Sequence, residues 1–478
     1  MTSSAQRETH DAIVVGAGPN GLSAAIALAQ AGRRVLVLEA APTIGGGSRT
    51  AELTLPGFRH DICSAIHPTA MVSPFFRSLP LASHGLEFIQ PPVALAHPFD
   101  DGTAAALTCP VAETAATLGV DAAGYERLMS PLVRDADRLI PQLMGPLRLP
   151  RHPIALARFG LSALRSARGL ADARFGGEPA KGLFAGMAAH GFLPLDRPAT
   201  AAFGLVLGLF GHHAGWPIPR GGSQAIVDAL AAHLVSLGGE IRTDAPVRSL
   251  AGLEKARAIV FDLTPRQILA IAGDELPARY RRTLGRFRYG PGVFKVDWAL
   301  DGPVPWTAGA CRRAGTVHLG GTLAEIADSE AAVSAGRHPE RPFVLIAQQS
   351  LFDPTRAPAG KHTLWGYCHV PHGSTVDMTD AIEAQVERFA PGFRDLILAK
   401  ATMTTRDVAR HNENYIGGDI NGGVQDLRQL FTRPAPRLDP YATPNPRLFI
   451  CSSSTPPGGG VHGMAGAFAA RSVLRRQR

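Results

Sequence analysis

One segment near the start of the chain constrains the fold more than any other. Residues 11–39 read DAIVVGAGPNGLSAAIALAQAGRRVLVLE: a buried-strand pattern, a glycine turn, an Ala- and Leu-rich helix and a second strand ending in Glu39. Gly16 permits the tight turn, Gly18 lets backbone approach a pyrophosphate, and Gly21 lets the helix pack closely on the strand. The segment predicts a β-α-β unit that holds phosphates at the helix N-terminus, with Glu39 accepting hydrogen bonds from ribose hydroxyls.

A second motif follows directly and indicates which dinucleotide is bound. The chain continues from Glu39 as EAAPTIGGGSRT. This pairing of an acid with G-G-x-x-R-T resembles the flavoprotein family that includes amine oxidases and carotenoid desaturases, whereas nicotinamide enzymes generally lack it. The resemblance implies FAD as the cofactor, with Gly46, Ser48 and Arg49 at its pyrophosphate. A glycine-rich turn in some other α/β protein is the alternative for the first motif alone.

The segment WPIPRGGSQAIVDALAAHLVSLGGEIRTDAPV, residues 216–247, predicts a return to the nucleotide domain. It reads as a turn, a helix capped by Ser223 and a strand. The apolar face of this helix consists of Ile226, Leu230, Leu234 and Leu237. The segment looks like the P-x-G-G region of phytoene-desaturase-like proteins, which implies a backbone contact of Val247 with adenine. An ordinary helix-turn-strand unit is the alternative, and the short sequence after Val247 predicts a trimmed β-meander.

These segments predict an α/β protein with two interleaved domains. A discontinuous Rossmann-type FAD-binding domain takes residues 8–99, 211–289 and 411–478. A mixed α+β substrate domain takes the helical segment 100–210 and the segment 290–410. In the latter, the runs GVFKVDWAL, RPFVLIAQQS and HTLWGYCHV read as strands. The resemblance implies an architecture like that of amine oxidases and phytoene desaturases.

Composition narrows the classes of partner. The 478 residues carry a net charge of +8, but only five of the basic residues are Lys and no nucleic-acid-binding motif accompanies them, so we expect no nucleic-acid partner. The five cysteines form no C-x-x-C pair, which argues against a disulfide framework, a zinc site or a dithiol centre. We therefore expect no metal and a reduced, cytoplasmic setting.

Two segments bear on membranes. The N-terminal MTSSAQRETH is short and polar, so we expect no signal peptide, and the apolar run 199–211 is too short to span a bilayer. Residues 147–175 carry six Arg and one acid and predict a basic amphipathic helix. Its charged face holds Arg151, Arg158 and Arg165, beside Ile154, Leu161 and Leu164. Such a helix suits peripheral contact with an anionic membrane or an ordinary solvated surface.

Lys295 is the first candidate for chemistry. In the strand VFKVDWAL, Lys295 and Asp297 share one face, and a lysine is unusual in a chain that nearly always uses Arg. The segment resembles the strand on which flavin amine oxidases present a lysine that holds a water near the flavin N5. An ion pair between Lys295 and Asp297 with only a structural role is the alternative.

Two histidines are weaker candidates, His67 in RHDICSAIHP and His462 in the terminal loop. The stretch CSSSTPPGGGVHGMAGAFAAR contains a second G-x-G-x-x-G, but no strand or acid follows it. The resemblance implies that this loop and helix close the FAD site from the far end, with Gly463 and Met464 at the helix start and His462 near the isoalloxazine ring. A structural role is the alternative for each histidine.

As a whole, the chain resembles the phytoene-dehydrogenase-related branch of FAD-dependent oxidoreductases, which includes proteins called pyridine-nucleotide-disulfide-oxidoreductase-domain-containing. HNENYIGGDINGGVQDLRQLFTRP and CSSSTPPGGGVHGM are its most distinctive stretches. Membership implies FAD and oxidation of a C–H bond next to a double bond, nitrogen or hydroxyl, without naming the substrate. We expect an apolar, elongated substrate, because hydride removal by a flavin needs positioning more than a strong acid or base. The sequence has no second complete β-α-β fingerprint with an acid, so we expect the electrons to pass to oxygen, a quinone or another small acceptor. A flavin amine oxidase and a non-catalytic lipid- or prenyl-binding protein of the same fold are the alternatives. The oligomeric state stays open.

Overall fold

A computed structural model describes residues 10–477. The expectation of no signal peptide in residues 1–10 and the predicted domain boundary at residue 8 therefore lie wholly or partly outside the described residues. The strands are β1 (Ala12–Val15), β2 (Val35–Leu38), β3 (Thr50–Glu52), β4 (Arg59–Asp61), β5 (Phe88–Ile89), β6 (Val93–Pro98), β7 (Ala104–Leu107), β8 (Ile218–Pro219), β9 (Glu240–Arg242), β10 (Ala258–Phe261), β11 (Gly292–Leu300), β12 (Ala314–Leu319), β13 (Val344–Ala347), β14 (His362–Val370), β15 (Ile397–Met403) and β16 (Leu448–Ile450).

The α-helices alternate with these strands and with short 3₁₀ turns. They are α1 (Pro19–Gln30), α2 (Pro68–Val72), α3 (Val111–Ala116), α4 (Ala122–Arg134), α5 (Ala136–Leu143), α6 (Pro153–Ala163), α7 (Ala167–Arg174), α8 (Glu178–Ala189), α9 (Ala201–Ala214), α10 (Gln224–Ser236), α11 (Pro265–Ala272), α12 (Ala278–Gly285), α13 (Leu323–Ser334), α14 (Thr379–Phe389), α15 (Thr405–His411), α16 (Leu427–Leu430) and α17 (Met464–Arg476). Within residues 10–477, each helix is too short or too polar to cross a lipid bilayer.

The first sheet is parallel and covered by helices on both faces. Its strand order is β16-β10-β1-β2-β9. Val14 and Val37 join the core that contains Leu22 of α1, whereas Ile13 on the alternate face joins the core that contains Ile268 of α11. Because both faces are buried, the strands are continuously apolar. This arrangement confirms the predicted Rossmann-type domain.

The second sheet is mixed and follows the order β15-β11-β14-β13-β12-β6-β7. Strand β11 is buried along its whole length. Its side chains alternate as predicted: Trp298 packs in the core that also holds Val386 of α14, while Lys295 and Asp297 lie on the opposite face. Their cross-strand neighbours on β14 are Tyr367 and Trp365.

The two sheets divide the chain much as the five predicted segments do, with one strand placed differently. Strand β6 lies inside segment 8–99 but pairs with β12 in the second sheet. The later segments 211–289 and 411–478 return β9, β10 and β16 to the parallel sheet. The domain boundaries therefore stay a prediction, with β6 belonging to the second sheet.

Two local predictions were wrong. Residues 243–257 contain no strand, so the β-meander expected after Val247 is a loop with one 3₁₀ turn, started by the Ser249 side chain.

The basic segment is not one helix, because α6 ends before Leu164 and Ser166 caps α7 by accepting the Gly169 N–H at 3.1 Å. Arg151 precedes α6 and Arg165 follows it, so the three arginines do not share one helical face.

Candidate functional site

A continuous cavity of about 1070 Å³ is lined by residues of both sheets. One end is lined by the glycine turn and by the residues that follow β2 and β10. The other end is lined by apolar side chains of α6 and α9 and by aromatic residues of β14. The size and the change of chemistry along the cavity suit a large ligand at one end and a second, apolar molecule at the other.

The glycine turn is built for close backbone approach. A Cβ on Gly21 would lie 2.0 Å from the Gly16 carbonyl oxygen, so only glycine lets α1 pack this tightly on β1. A Cβ on Gly18 would lie 2.8 Å from an Asp262 carboxylate oxygen. Gly16, at φ +103°, has a conformation that other residues rarely adopt. Gly16 and Gly18 line the cavity, while Gly21 supports the turn from behind.

Glu39 and Arg49 form a buried pair beside this turn. Glu39 Oε2 accepts the Ala17 N–H at 2.8 Å and Oε1 accepts the Ala41 N–H at 3.0 Å. Arg49 Nη2 donates to Glu39 Oε1 at 3.3 Å, and Arg49 Nη1 donates to the His411 carbonyl at 3.3 Å. Both side chains line the cavity. The structure therefore brings together the acid and the arginine that the two sequence motifs predicted.

The polar end has unused hydrogen-bonding groups that suit a dinucleotide. Asn20 Oδ1, Arg49 Nε and Asn421 Nδ2 are buried and have no partner within the described residues, although all three residues line the cavity. Gly46 approaches Gly18 so closely that its Cβ would lie 3.2 Å from the Gly18 Cα. Buried polar atoms are normally satisfied, so these residues fit a ligand with phosphate and hydroxyl groups.

Asp262 is a site residue that the sequence analysis missed. It directly follows β10 and accepts the Gly21 N–H at 2.9 Å. Burial, together with the nearby charge of Glu39, raises the pKa of Asp262 to about 7. The available signal was an acid directly after a buried parallel strand, because the carboxyl ends of such strands meet where ligands bind.

The remaining cofactor candidates lie along the same cavity or directly behind it. Ser48 and Val247 line it. Gly463 and Met464 lie beyond the lining residues, where α17 begins. A Cβ on Gly463 would lie 2.1 Å from Ser23 Oγ of α1, so this glycine serves the packing of α17 against α1.

His462 lines the cavity, but its ring is held by its own loop. Nδ1 accepts the Met464 N–H at 3.0 Å, and Nε2 lies 3.2 Å from the Gly458 carbonyl oxygen, to which it donates in that tautomer. Burial lowers the pKa of His462 to about 4. The imidazole is therefore neutral at physiological pH and shapes the loop next to the cavity.

Lys295 lies one layer behind the cavity wall. It lines a small adjoining space that shares part of its wall with the main cavity, including Cys63, Trp365 and Tyr415. Its ammonium lies 5.8 Å from the centre of the Trp365 ring and pairs with Asp297. The ion pair that the sequence left as the structural alternative is present, so a role in the reaction stays a prediction.

His67 lies outside the cavity lining. Its Nε2 is 2.8 Å from Ser223 Oγ, and burial lowers its pKa to about 4. Ser223 occupies the N-cap position of α10, but its hydroxyl donates to the Ser64 carbonyl at 2.5 Å instead of capping the helix. The predicted cap was therefore wrong, and His67 and Ser223 join two chain segments behind the site.

The apolar end was predicted only as a helical region. Its walls include Phe159 of α6, Phe203 and Val206 of α9, and Trp365 and Tyr367 of β14. These residues come from distant parts of the chain, and no local motif links them. They form an apolar compartment that is continuous with the polar end, and a compartment of this kind suits an apolar molecule.

Known proteins resemble the chain over most of its length. Residues 14–79 match the NAD(P)-binding Rossmann-like domain family. A rat protein, pyridine nucleotide-disulfide oxidoreductase domain-containing protein 2, is 28% identical over 98% of this chain and 93% of its own. Phytoene dehydrogenase of Streptomyces griseus is 30% identical over 81% of this chain and 77% of its own. An engineered putrescine oxidase has the same fold, with TM-score 0.62 and 18% identity over 98% of this chain and 99% of its own.

Proposed function

The chain belongs to the phytoene-dehydrogenase-related family of FAD-dependent oxidoreductases, and from this premise we propose that it binds FAD and removes hydride from a C–H bond of an apolar small molecule. The electrons then pass to oxygen, a quinone or another small acceptor. The chain is an oxidoreductase of the superfamily that includes amine oxidases and phytoene desaturases. The cofactor, substrate class and acceptor are the proposed part.

The observation that carries the proposal is the continuity of one cavity. Its polar end holds the glycine turn, Glu39 and Arg49, and its other end is walled by Phe159, Val206 and Trp365 without an intervening partition. A dinucleotide with a reactive ring, held by the polar end, would share this cavity with an apolar molecule held at the other end. The arrangement favours hydride removal from an apolar molecule held beside that ring.

The polar end offers a distinct group for each part of the proposed cofactor. We assign the pyrophosphate to the backbone around Gly18 and Gly46 with Arg49, the ribose hydroxyls to Glu39, and the adenine to the backbone at Val247. When bound, FAD supplies a two-electron acceptor for the hydride. The protein itself binds the cofactor, orients the substrate and excludes water from the cavity.

Several titratable residues that line the cavity are weak acids or weak bases at neutral pH. Burial lowers the pKa of His190 to about 3 and that of His411 to about 4, so both imidazoles are neutral. Burial also raises the pKa values of Tyr367 and Tyr415 above their ordinary range, so both phenols keep their protons. Hydride removal needs positioning more than proton transfer, which supports the proposed reaction.

The first experiment asks whether the purified chain holds FAD. We expect a yellow protein with the absorption bands of oxidised flavin, and release of FAD on denaturation. If the protein is colourless, reconstitution with FAD should restore the bands. A folded protein that neither contains nor takes up FAD would contradict the proposal and favour the non-catalytic lipid-binding alternative.

A further inference from the structure

We propose that residues 147–165 form a docking surface for an anionic phospholipid bilayer, located where the cavity opens. Docking itself depends only on this surface. Its use, to pass apolar substrate from the bilayer to the cavity, rests on the proposed function. We call this region the apolar–basic surface. Its members are Leu147, Arg148, Leu149, Arg151, Ile154, Arg158, Leu161, Leu164 and Arg165.

Large apolar side chains are exposed here to an unusual degree. Leu149 is 92% exposed, Leu161 79% and Ile154 76%. Leu147 and Leu164, at 69% and 58%, belong to the same stretch of chain. Single exposed leucines are common on protein surfaces, but a group of them marks an interaction site.

Helix α6 presents this surface because its two sides differ. Ala155, Phe159 and Ala163 are buried against the rest of the protein, whereas Ile154 and Leu161 are exposed to solvent. A helix this short cannot cross a bilayer, but it can lie in the interface with its exposed apolar side chains among the acyl chains.

Basic residues surround the exposed apolar ones. Arg148, Arg151, Arg158 and Arg165 are exposed, and Asp172 is the one acid within residues 147–175. Arg148 lies near Arg151 and Arg471, and burial together with these two like charges lowers its pKa. Arginine can place its aliphatic part on apolar surface and its charge among phosphates.

One acid reduces this charge without removing it. Arg158 donates to Asp135 at 3.0 Å, and Arg138 donates to the same carboxylate at 3.1 Å. Two guanidinium groups thus share one carboxylate, so a net positive charge remains. The ion pair restrains Arg158, which lies three residues before Leu161 on α6.

The apolar–basic surface and the cavity share residues. Leu147, Arg148 and Leu164 are exposed and also line the cavity, next to Leu156 and Phe159. The apolar end of the cavity therefore reaches the protein surface among these residues. A bilayer seated here would let a lipid-soluble molecule enter without crossing water.

The charge favours a bilayer over a second copy of the chain. In a symmetric dimer the same patch meets itself, which would bring the exposed Arg148, Arg151 and Arg165 close to their own counterparts. An anionic bilayer supplies phosphates to these cations and acyl chains to the leucines at the same time. We therefore assign the surface to anionic phospholipid.

The test is co-sedimentation of the full chain with vesicles of phosphatidylcholine, with and without phosphatidylglycerol. We expect sedimentation with the anionic vesicles, a marked decrease with added salt, and weak sedimentation with phosphatidylcholine alone. The variant Leu149→Ser/Ile154→Ser/Leu161→Ser changes no residue that lines the cavity. We expect it to lower the partition coefficient by at least about tenfold.

A control variant, Val235→Ser/Val376→Ser/Leu398→Ser, removes three exposed apolar side chains from other parts of the protein and should sediment like the unaltered chain. Equal sedimentation of the two triple variants, or none of the unaltered chain, would overturn the docking proposal. So would light scattering that shows a dimer lost only in the first variant. Because sedimentation requires no turnover, a failure here is distinct from a failure to bind FAD.

Discussion

The two ends of the cavity are built in opposite ways. At the polar end, Gly16, Gly18 and Glu39 come from one β-α-β unit, and their spacing along the chain nearly determines their positions in space. At the apolar end, Phe159, Val206 and Tyr367 come from two helices and a strand that the chain joins only through folding. The comparison separates the residues that we propose bind the cofactor from those that we propose select the substrate.

The two ends also differ in what substitution should do. The polar end depends on individual hydrogen bonds and charges, so the loss of one group leaves others buried without partners. The apolar end depends on shape and area, which many side chains share. The same kind of change should therefore abolish cofactor binding at one end and only weaken substrate binding at the other.

The largest expected effect is at Glu39. In Glu39→Ala, the N–H groups of Ala17 and Ala41 and the Arg49 guanidinium lose their acceptor, and the proposed ribose contacts disappear. We expect the dissociation constant for FAD to rise at least about 100-fold, because a hydrogen bond to a charged group contributes about 1.5–3 kcal/mol. Arg49→Ala should act in the same way. Flavin content and isothermal titration measure both effects.

Glu87→Ala is the matched control, since it removes an exposed glutamate that pairs with Arg220 away from the cavity. It should leave FAD binding unchanged. A folded Glu39→Ala protein that retains its full flavin content would contradict the assignment of the polar end.

The second prediction concerns pH and Asp262. The pKa of Asp262 is raised from 3.8 to about 7, so the unfolded chain ionises first and the folded state loses stability as pH rises from about 4 to about 7. Asp262→Asn removes this loss and can still accept the Gly21 N–H. Its free energy of unfolding should exceed that of the unaltered chain above pH 7, by at most about 4 kcal/mol at about 1.4 kcal/mol per pH unit.

Urea unfolding at several pH values measures this difference. We expect the two proteins to converge near pH 4 and to separate up to pH 7. If the difference in the free energy of unfolding between the two proteins does not change with pH, the pKa of Asp262 is not raised in the folded state.

The third prediction lies between the two ends, at Lys295. Lys295→Met leaves the Asp297 carboxylate buried without its ammonium, which should lower the free energy of unfolding by about 3 kcal/mol. If Lys295 also acts on the flavin reaction, a half-reaction should slow at least about tenfold while FAD stays bound. Stopped-flow absorbance measures the rates.

The double variant Lys295→Met/Asp297→Asn separates the two roles, because it removes the unpaired charge. We expect stability to recover and the rate to stay low. Unchanged half-reaction rates in both variants would make the Lys295–Asp297 pair purely structural.

The smallest effect is expected at the apolar end. Val206→Thr keeps the shape of a cavity-lining side chain but replaces one methyl group with a hydroxyl, which costs about 1–3 kcal/mol when it meets an apolar ligand. We expect KM to rise about tenfold with unchanged flavin content. Val235→Thr, on the exposed side of α10, is the control, and an equal KM change in both would show that the compartment does not hold substrate.

The difference between the two ends of the cavity also determines which site residues the sequence could predict. The glycine turn, Glu39 and Arg49 were predictable because their positions follow from spacing within one supersecondary unit. Asp262 reaches this site across a separation of 241 residues from Gly21, which only the order of strands in the sheet reveals.

The prediction of one basic helix was wrong because contacts around residues 164–166 interrupt the helix. The regular spacing of Arg151, Arg158 and Arg165 suggested one long helix, but the Ser166 side chain starts a new helix and the Leu164 carbonyl accepts the Ala199 N–H at 3.0 Å. A tertiary hydrogen bond and a cap thus outweigh periodicity. The break leaves the exposed Leu164 among the residues that line the cavity.

The most direct test of the central claim is anaerobic reduction of the bound flavin by a panel of elongated apolar polyenes, alcohols and amines. We expect an apolar compound to bleach the flavin absorption, Val206→Thr to slow this bleaching, and added oxygen or quinone to restore the colour. If dithionite bleaches the flavin but no compound of the panel does so, the chain would be a flavin-binding protein without the proposed reaction. Bleaching by polar amines alone would contradict the assignment of the apolar end.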